Sequence, residues 1–338
     1  MIIVMKPSAD ERDVQHVVSR VQADGYQAHL SQGEHHTIIG VIGESPTPLR
    51  EDNYSSLGGV DRVMRVSAPY KRASRDFHPL NTNVPLNGSQ AGDQKVLVIA
   101  GPCSVESREQ IIEIAHAVKE MGATALRGGA FKPRTSPYSF QGYGEQGLKW
   151  LAEAREQTGL PIVTEIMDPG LVSMFDEYAD VLQIGARNMQ NFALLHAVGK
   201  SRRAVLIKRG MANTMEELLM SAEYVLSNGN NNVMLCERGI RTFEKYTRNT
   251  FDINAIPVLK SRTHLPVIAD PSHAVGYSEH VPAIALAAVA AGADGLIVEV
   301  HPCPAEAMSD GRQTLDYNAF RSMMDAVRRV AAAVGRTA

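Results

Sequence analysis

From Lys95 onward, short apolar runs alternate with amphipathic stretches of helical spacing, and that alternation restricts the chain to a parallel sheet with helical crossovers. Eight such runs can be placed: Val96–Ala100, Ala123–Arg127, Pro161–Glu165, Val181–Ile184, Ala204–Lys208, Asn232–Cys236, Leu265–Ala269 and Gly295–Val300. Helices are expected between them, for example over Glu109–Met121, Thr214–Asn228 and Tyr317–Val334. Eight βα units in about 240 residues match a closed (β/α)8 TIM barrel in number and size. An open doubly wound sheet is the alternative, but no Gly-x-Gly-x-x-Gly follows the first run.

The barrel leaves a segment of different texture in front of it. Residues 1–66 read as β-α-β-β-α-β: strands at Ile2–Met5, Tyr26–Leu30, Thr37–Ile42 and Val60–Val66, a helix over Ala9–Ala23, and a poor one around Leu49–Leu57. That order predicts a small α+β ferredoxin-like domain. Strand alternation puts Tyr26, Ala28 and Leu30 on its packed face and Gln27, His29 and Ser31 on the other, with a turn at Gln32-Gly33. Residues 67–94 lack periodicity and carry Pro69, Pro79, Pro85, Gly88 and Gly92, so a linker with a short hairpin is expected there, and the barrel occupies 95–338.

Bulk properties exclude several function classes. A net charge of −3 gives no general attraction to nucleic acid or anionic membranes. The first five residues are too short an apolar run for a signal peptide. The run Val281 to Ala293, which contains Pro282, falls short of the roughly 20 residues that span a bilayer. Three scattered cysteines make no disulfide framework and point to a reducing cytoplasm. Any anion site must therefore be a local cluster of Arg and Lys.

The strand ends carry such a cluster. Reading in order, the runs finish at Cys103, Arg127, Glu165, Arg187, Lys208 with Arg209, Glu237 with Arg238, Asp270 with His273, and Glu299 with His301. In a barrel these emerge on the C-terminal rim, where active sites sit. Closure makes strands seven, eight and one neighbours, which gathers His273, Glu299 and Cys103, with Asp310 available from the next loop. A thiolate, an imidazole and two carboxylates suit one divalent cation such as Mn, Fe, Co or Zn. Around the rest of the mouth stand Arg127, Lys132, Arg134, Arg187, Lys208 and Arg238, a concentration of charge that needs polyanions between its members.

Each residue also has a plainer reading. Cys103 could be a packed core cysteine, and Cys236 and Cys303 are read that way. His273 in Asp-Pro-Ser-His and Asp310 in Ser-Asp-Gly could be turn residues. Arg127 or Arg187 could pair with Glu165 or Glu237 in structural ion pairs. Glu299 is the hardest to dismiss, because a carboxylate ending an apolar run is costly unless paired. His301 shares its face by alternation and could serve only to support it.

Seven short motifs carry a resemblance. Gly101-Pro-Cys-Ser104, Lys132-Pro-Arg-Thr-Ser136 with Tyr138-Ser-Phe-Gln-Gly142, Ile184-Gly-Ala-Arg-Asn188, Leu206-Ile-Lys-Arg-Gly210, Cys236-Glu-Arg-Gly239, Asp270-Pro-Ser-His273 and Val298-Glu-Val-His301 occur in that order. The chain resembles the 3-deoxy-D-arabino-heptulosonate 7-phosphate (DAHP) synthases, in the type I beta subgroup with an N-terminal ferredoxin-like regulatory domain. The resemblance implies a transferase that condenses phosphoenolpyruvate with erythrose 4-phosphate at the start of the shikimate pathway to chorismate and the aromatic amino acids. It implies that Cys103, His273, Glu299 and Asp310 are metal ligands, and that Arg127, Lys132, Arg187, Lys208 and Arg238 hold phosphoenolpyruvate. Lys132, Pro133, Arg134, Thr135 and Ser136 would receive erythrose 4-phosphate, with Lys132 and His273 in catalytic roles.

The same resemblance makes the small domain a sensor for an aromatic amino acid, tyrosine or phenylalanine, with His29 and Ser31 as candidate contacts, and suggests a homotetramer. The alternative for those two residues is contact with a neighbouring subunit. Two rivals remain at this point. The sister 3-deoxy-D-manno-octulosonate 8-phosphate synthase uses arabinose 5-phosphate on the same barrel, and the Lys132-Pro-Arg-Thr-Ser136 loop argues against it. A non-catalytic amino-acid-sensing barrel would not be expected to keep all four ligands and the whole cationic set.

Overall fold

Local signals in the chain delimit the elements of a computed structural model, which describes every residue except 33–36, 44–48, 65–68 and 133–137, and the side chains of Ser31 and Gln32. The chain divides into two units, Met1–Lys71 and Arg72–Ala338.

In the first unit, β1 (Ile2–Met5), β2 (Gln27–Gln32), β3 (Thr37–Ile42) and β4 (Val60–Met64) form an antiparallel sheet in the order β2-β3-β1-β4. Helix α1 (Glu11–Ala23) begins at Asp10, which accepts from Asp13 N while the Asp13 carboxylate accepts from Asp10 N, a reciprocal capping box. Its Val14, Val17 and Val21 pack with Ile3, Met5, Ile39 and Val41 of the sheet. Helix α2 (Asp52–Ser55) is a single turn with no side-chain cap, shorter than the span expected around Leu49–Leu57; it is held by buried Tyr54, whose hydroxyl donates to Asp24 at 2.7 Å. His29 is exposed on β2, and Leu30, on the packed face by alternation, remains 38% exposed beside the edge of this sheet. The turn expected at Gln32-Gly33 and the side chain of Ser31 lie outside the described residues.

The second unit is a closed eight-stranded parallel barrel: β7 (Leu97–Gly101), β8 (Ala125–Arg127), β9 (Ile162–Ile166), β10 (Val181–Ile184), β11 (Ala204–Lys208), β12 (Val233–Glu237), β13 (Val267–Ala269) and β14 (Gly295–Glu299), with β14 pairing back onto β7. The outer ring comprises α3 (Arg108–Met121), α4 (Glu145–Thr158), α5 (Val172–Tyr178), α6 (Phe192–Val198), α7 (Met215–Ser227), α8 (Ala255–Arg262), the short α9 (Pro271–Val275), α10 (Val281–Ala290) and α11 (Tyr317–Ala333). Their starts are written in the sequence: Ser107, Thr214 and Asp316 each accept an amide of the first turn. The second barrel strand starts at Ala125 rather than Ala123, because Gly122 ends α3 in a left-handed conformation and the Ala123 amide returns to Val118 O. None of the helices among the described residues is long and apolar enough to cross a membrane.

The stretch expected as a 67–94 linker is divided otherwise. The boundary falls after Lys71, and a hairpin of β5 (Val84–Leu86) and β6 (Ser89–Ala91) puts Val84, Leu86 and Ala91 into one cluster with the barrel interior. A barrel mouth left open would expose Leu97, Val181 and Ala204 to water, and the hairpin covers them. The Arg72 and Ala73 amides also donate to Glu223 of α7, at 3.1 and 3.0 Å. Too few apolar residues mark this segment for periodicity to reveal it.

Candidate active site

Inside the barrel, side chains alternate, and the interior set contains Leu97, Ile99, Ala125, Val163, Val181, Leu206, Met234, Cys236, Ile268 and Ile297. Continuing each strand by two residues on the same parity gives Arg127, Glu165, Gln183, Lys208, Arg238, Asp270 and Glu299. The apolar interior is thus capped by one polar layer at the C-terminal end of the strands. Arg127, Glu165, Gln183, Lys208 and Arg238 of this layer floor a cavity of about 430 Å³ whose walls include Lys132, Arg187, Arg241, Arg248, Asn249, His273 and Asp310. Five residues named from sequence as a cationic set, Arg127, Lys132, Arg187, Lys208 and Arg238, all line this one space. Arg134, with Pro133, Thr135 and Ser136, lies outside the described residues.

At one side of the cavity, ligand atoms of Cys103, Glu299 and Asp310 lie within 4.8 Å of one another. His273 adjoins them through Nε2, 3.5 Å from Glu299 Oε1, while its Nδ1 lies 2.8 Å from Asp270 Oδ2. The Cys103 thiol donates to Asp310 Oδ2 at 3.3 Å, and Lys132 Nζ donates to Cys103 O at 2.9 Å and Sγ at 3.0 Å. Arg127 donates to Glu299 Oε1 at 2.9 Å, and Lys208 to Asp270 Oδ2 at 2.5 Å. Gly101 permits the turn into Cys103: its φ is 152°, and a Cβ there would run into the carbonyl oxygen of Arg127.

Electrostatics follow from burial and these partners. Burial pushes the Cys103 thiol up to about 11, and Glu299 adds to the effect. For Glu299, Asp270 and Asp310, burial opposes ionisation, but the His273 imidazole and the cations beside them outweigh it, holding all three carboxyls below their usual range. Burial lowers the His273 pKa, against the pull of Asp270 and Glu299. Arg238 donates Nη2 to His273 O at 3.2 Å, while its Nη1 is buried without a partner among the described residues.

Two sequence readings are corrected by strand parity. Arg209 and Glu237, grouped with the rim, point out of the barrel: Arg209 Nη1 bonds Glu237 at 2.8 Å and Asp252 at 2.9 Å, and neither Arg209 nor Glu237 lines the cavity. The structural pairs suggested for Arg127 and Arg187 are not with Glu165 or Glu237; Arg127 pairs with Glu299, and Arg187 is exposed at the cavity wall. His301 lies with Nε2 3.4 Å from Glu106 Oε2 and is not part of the three-ligand group. Cys236 lies buried within the barrel interior, as expected.

Sequence reading missed Arg241, Arg248, Asn249 and Gln313. The first three come from the loop after β12, which has no period to reveal an inward face. Its backbone is tied down by bonds from Arg248 N to Val275 O at 2.9 Å and Asn249 N to Ala274 O at 2.8 Å.

A family model described as "DAHP synthetase I family" matches residues 78–334, three-quarters of the chain and the whole barrel with its hairpin. The chain belongs to the DAHP synthetase I family. A second family model, "DAHP synthase ferredoxin-like domain", matches residues 1–68. The chain is 48% identical over 335 residues to a phospho-2-dehydro-3-deoxyheptonate aldolase of Thermotoga maritima, covering 99% of both chains. A crystal structure of the Thermotoga maritima DAHP synthase superposes with a TM-score of 0.84 at 47% identity, covering 99% of this chain and 98% of that one. A 2-dehydro-3-deoxyphosphooctonate aldolase of Nitratidesulfovibrio vulgaris is more distant, 36% identical over 63% of this chain and 84% of its own length. Family membership bears out the resemblance carried by the seven motifs, the (β/α)8 barrel and the ferredoxin-like domain before it.

Proposed function

We propose that this chain condenses phosphoenolpyruvate with erythrose 4-phosphate and water to give DAHP and phosphate. The observation that carries this reading is one cavity lined by seven cations, the five named from sequence together with Arg241 and Arg248, beside a group of a thiol and two carboxylates, in a chain of this family. Glu299 and Asp310 are buried or half-buried carboxylates held ionised within reach of each other and of Cys103. Like charges so placed repel, and a divalent cation relieves that repulsion. Cys103, His273, Glu299 and Asp310 would hold one such ion, of the Mn, Fe, Co or Zn class. Bound there, it supplies Lewis acidity toward the aldehyde oxygen of the four-carbon sugar phosphate.

The protein groups do the rest. Arg127, Arg187, Lys208 and Arg238 hold the phosphate and carboxylate of phosphoenolpyruvate, the guanidinium groups giving fixed geometry and Lys208 a point charge. So oriented, the enol methylene carbon attacks the aldehyde carbon. Water then adds at the carbon left electron-poor, and phosphate departs. Lys132, whose ammonium stands 3.0 Å from Cys103 Sγ, is the group to pass a proton to the aldehyde oxygen. The loop of Lys132, Pro133, Arg134, Thr135 and Ser136 would receive the sugar phosphate.

The ferredoxin-like domain supports regulation by an aromatic amino acid, tyrosine or phenylalanine, with His29 and Ser31 as candidate contacts, in a cytoplasmic homotetramer. The test of the reaction is loss of the enol absorbance with both substrates, repeated after chelation and after Mn is restored. Activity lost and regained supports the reaction and the metal together. Turnover with arabinose 5-phosphate in place of erythrose 4-phosphate would favour the sister enzyme, and silence with both would leave a sensing barrel.

A further inference from the structure

Outside the residues already given a role, one buried amide touches the candidate metal group. Gln313 is 2% exposed, donates Nε2 to Glu299 Oε2 at 2.6 Å, and accepts from Arg248 Nη1 on Oε1 at 2.8 Å. A carboxylate only accepts and a guanidinium only donates, so these partners allow one orientation of the amide. Arg248 Nη1 also reaches Asp310 Oδ1 at 3.3 Å.

The two carboxylates are therefore gripped in the same way. Glu299 gives Oε2 to Gln313, while its Oε1 accepts from Arg127 Nη1 at 2.9 Å and faces His273 Nε2 at 3.5 Å. Asp310 gives Oδ1 to Arg248 and turns Oδ2 toward Cys103 Sγ. Each keeps one oxygen facing the other candidate ligands. The backbone holds the grip in place. Asp310, at φ 52°, is the one non-glycine residue in the left-handed region among the described residues, and the turn Gly311–Gln313 follows it directly. On the other side, a Cβ at Gly276 would strike Arg248 Cβ, so the loop bearing Arg248 packs directly on the segment bearing His273.

We propose that Gln313 and Arg248 are positioning residues that hold Glu299 and Asp310 as one-oxygen ligands, setting the affinity and coordination geometry of the divalent ion. The proposal rests on the metal reading above. Orienting partners behind the ligands typically contribute about ten- to hundred-fold in metal affinity. Gln313 does not itself line the cavity and reaches it only through Glu299 and Arg248.

The experiment loads metal-free full-length protein with Co(II) and records the thiolate charge-transfer and d–d bands, with dissociation constants from chelator competition. Gln313→Met, close in length but unable to make either bond, is expected to weaken Co(II) binding about ten- to hundred-fold. Its d–d bands should shift as Glu299 becomes free to offer both oxygens, and the metal-free melting temperature should change little. Arg248→Met, at a half-open side chain, should give a smaller loss in the same direction. The double variant should lose more than Gln313→Met alone, because Arg248 also holds Asp310, but less than the product of the two single losses, because the Arg248–Gln313 bond is common to both. Wild-type constants and bands in Gln313→Met overturn the proposal. If that variant does not fold, Arg248→Met decides, and wild-type metal binding there overturns it equally. Absence of any thiolate band in the wild-type protein would instead remove the metal reading on which the proposal stands.

Discussion

Replacing Arg209 by Met tests the inward and outward assignment that defines the site, because its neighbour Lys208 faces the cavity and it does not. Arg209 is 7% exposed and its partner Glu237 is fully buried, so the variant leaves a carboxylate with one remaining donor, the Gly239 amide at 2.7 Å. Breaking a buried pair from one side costs about 3–5 kcal/mol if the orphan stays charged. Protonation limits that. Keeping Glu237 neutral costs about 1.36 kcal/mol for each pH unit above its unfolded pKa of about 4.3, a ceiling of about 3.7 kcal/mol at pH 7. Even with Arg209 present, burial holds the Glu237 carboxyl above its usual value, so the measured deficit lies under this ceiling.

The sign is fixed by linkage. The variant raises the folded pKa of Glu237 further, so the deficit is absent below the wild-type folded pKa, itself raised by burial, grows as pH rises through it, and levels off above the variant's folded pKa. At pH 5.3 the ceiling has fallen to about 1.4 kcal/mol. For a domain of this size, melting temperature should drop by up to roughly 7–15 °C at pH 7 and by roughly 3–6 °C at pH 5.3. The assay is thermal unfolding at both pH values, beside the KM for phosphoenolpyruvate. Lys208→Met should raise that KM at least about tenfold through a lost charge-assisted bond, whereas Arg209→Met should leave it unchanged. A deficit independent of pH, or a rise in KM in Arg209→Met matching that of Lys208→Met, would refute the reasoning.

Lys132→Met is expected to abolish turnover while bound metal per chain stays at the wild-type level; near-normal turnover would remove its proton-transfer role. Because burial holds the Cys103 thiol up at about 11, metal must displace its proton, so binding should tighten about tenfold per pH unit below that value. Proton release on adding Co(II) to weakly buffered protein measures this, and Cys103→Ser should eliminate it. Deletion of residues 1–71 at the observed boundary should leave an active barrel insensitive to tyrosine and phenylalanine, read from inhibition curves; full inhibition of the truncated chain would refute the sensing role.

Local order along the chain specified most of what is local in the protein. Eight apolar runs, capping residues such as Ser107, Thr214 and Asp316, and polar groups at every strand end were enough for a barrel, its rim, and the gathering of Cys103 with Glu299 and Asp310. Tertiary structure decided what sequence period cannot express. Barrel strands are buried on both faces, so apolar residues occupy both parities and alternation does not say which side is inside. Only closure assigned Lys208 and Arg238 inward and Arg209 and Glu237 outward. Only closure, too, brought Val84 and Leu86 of the hairpin into one cluster with Val181, Ala204 and Met234, which lie far along the chain. Arg248 and Gln313 sit in aperiodic loops, 65 residues apart, and their bond to each other exists because the ends of β12 and β14 are held close around one mouth. Interactions between near neighbours repeat with a period that sequence records, whereas a contact between distant loops depends on the whole chain having closed.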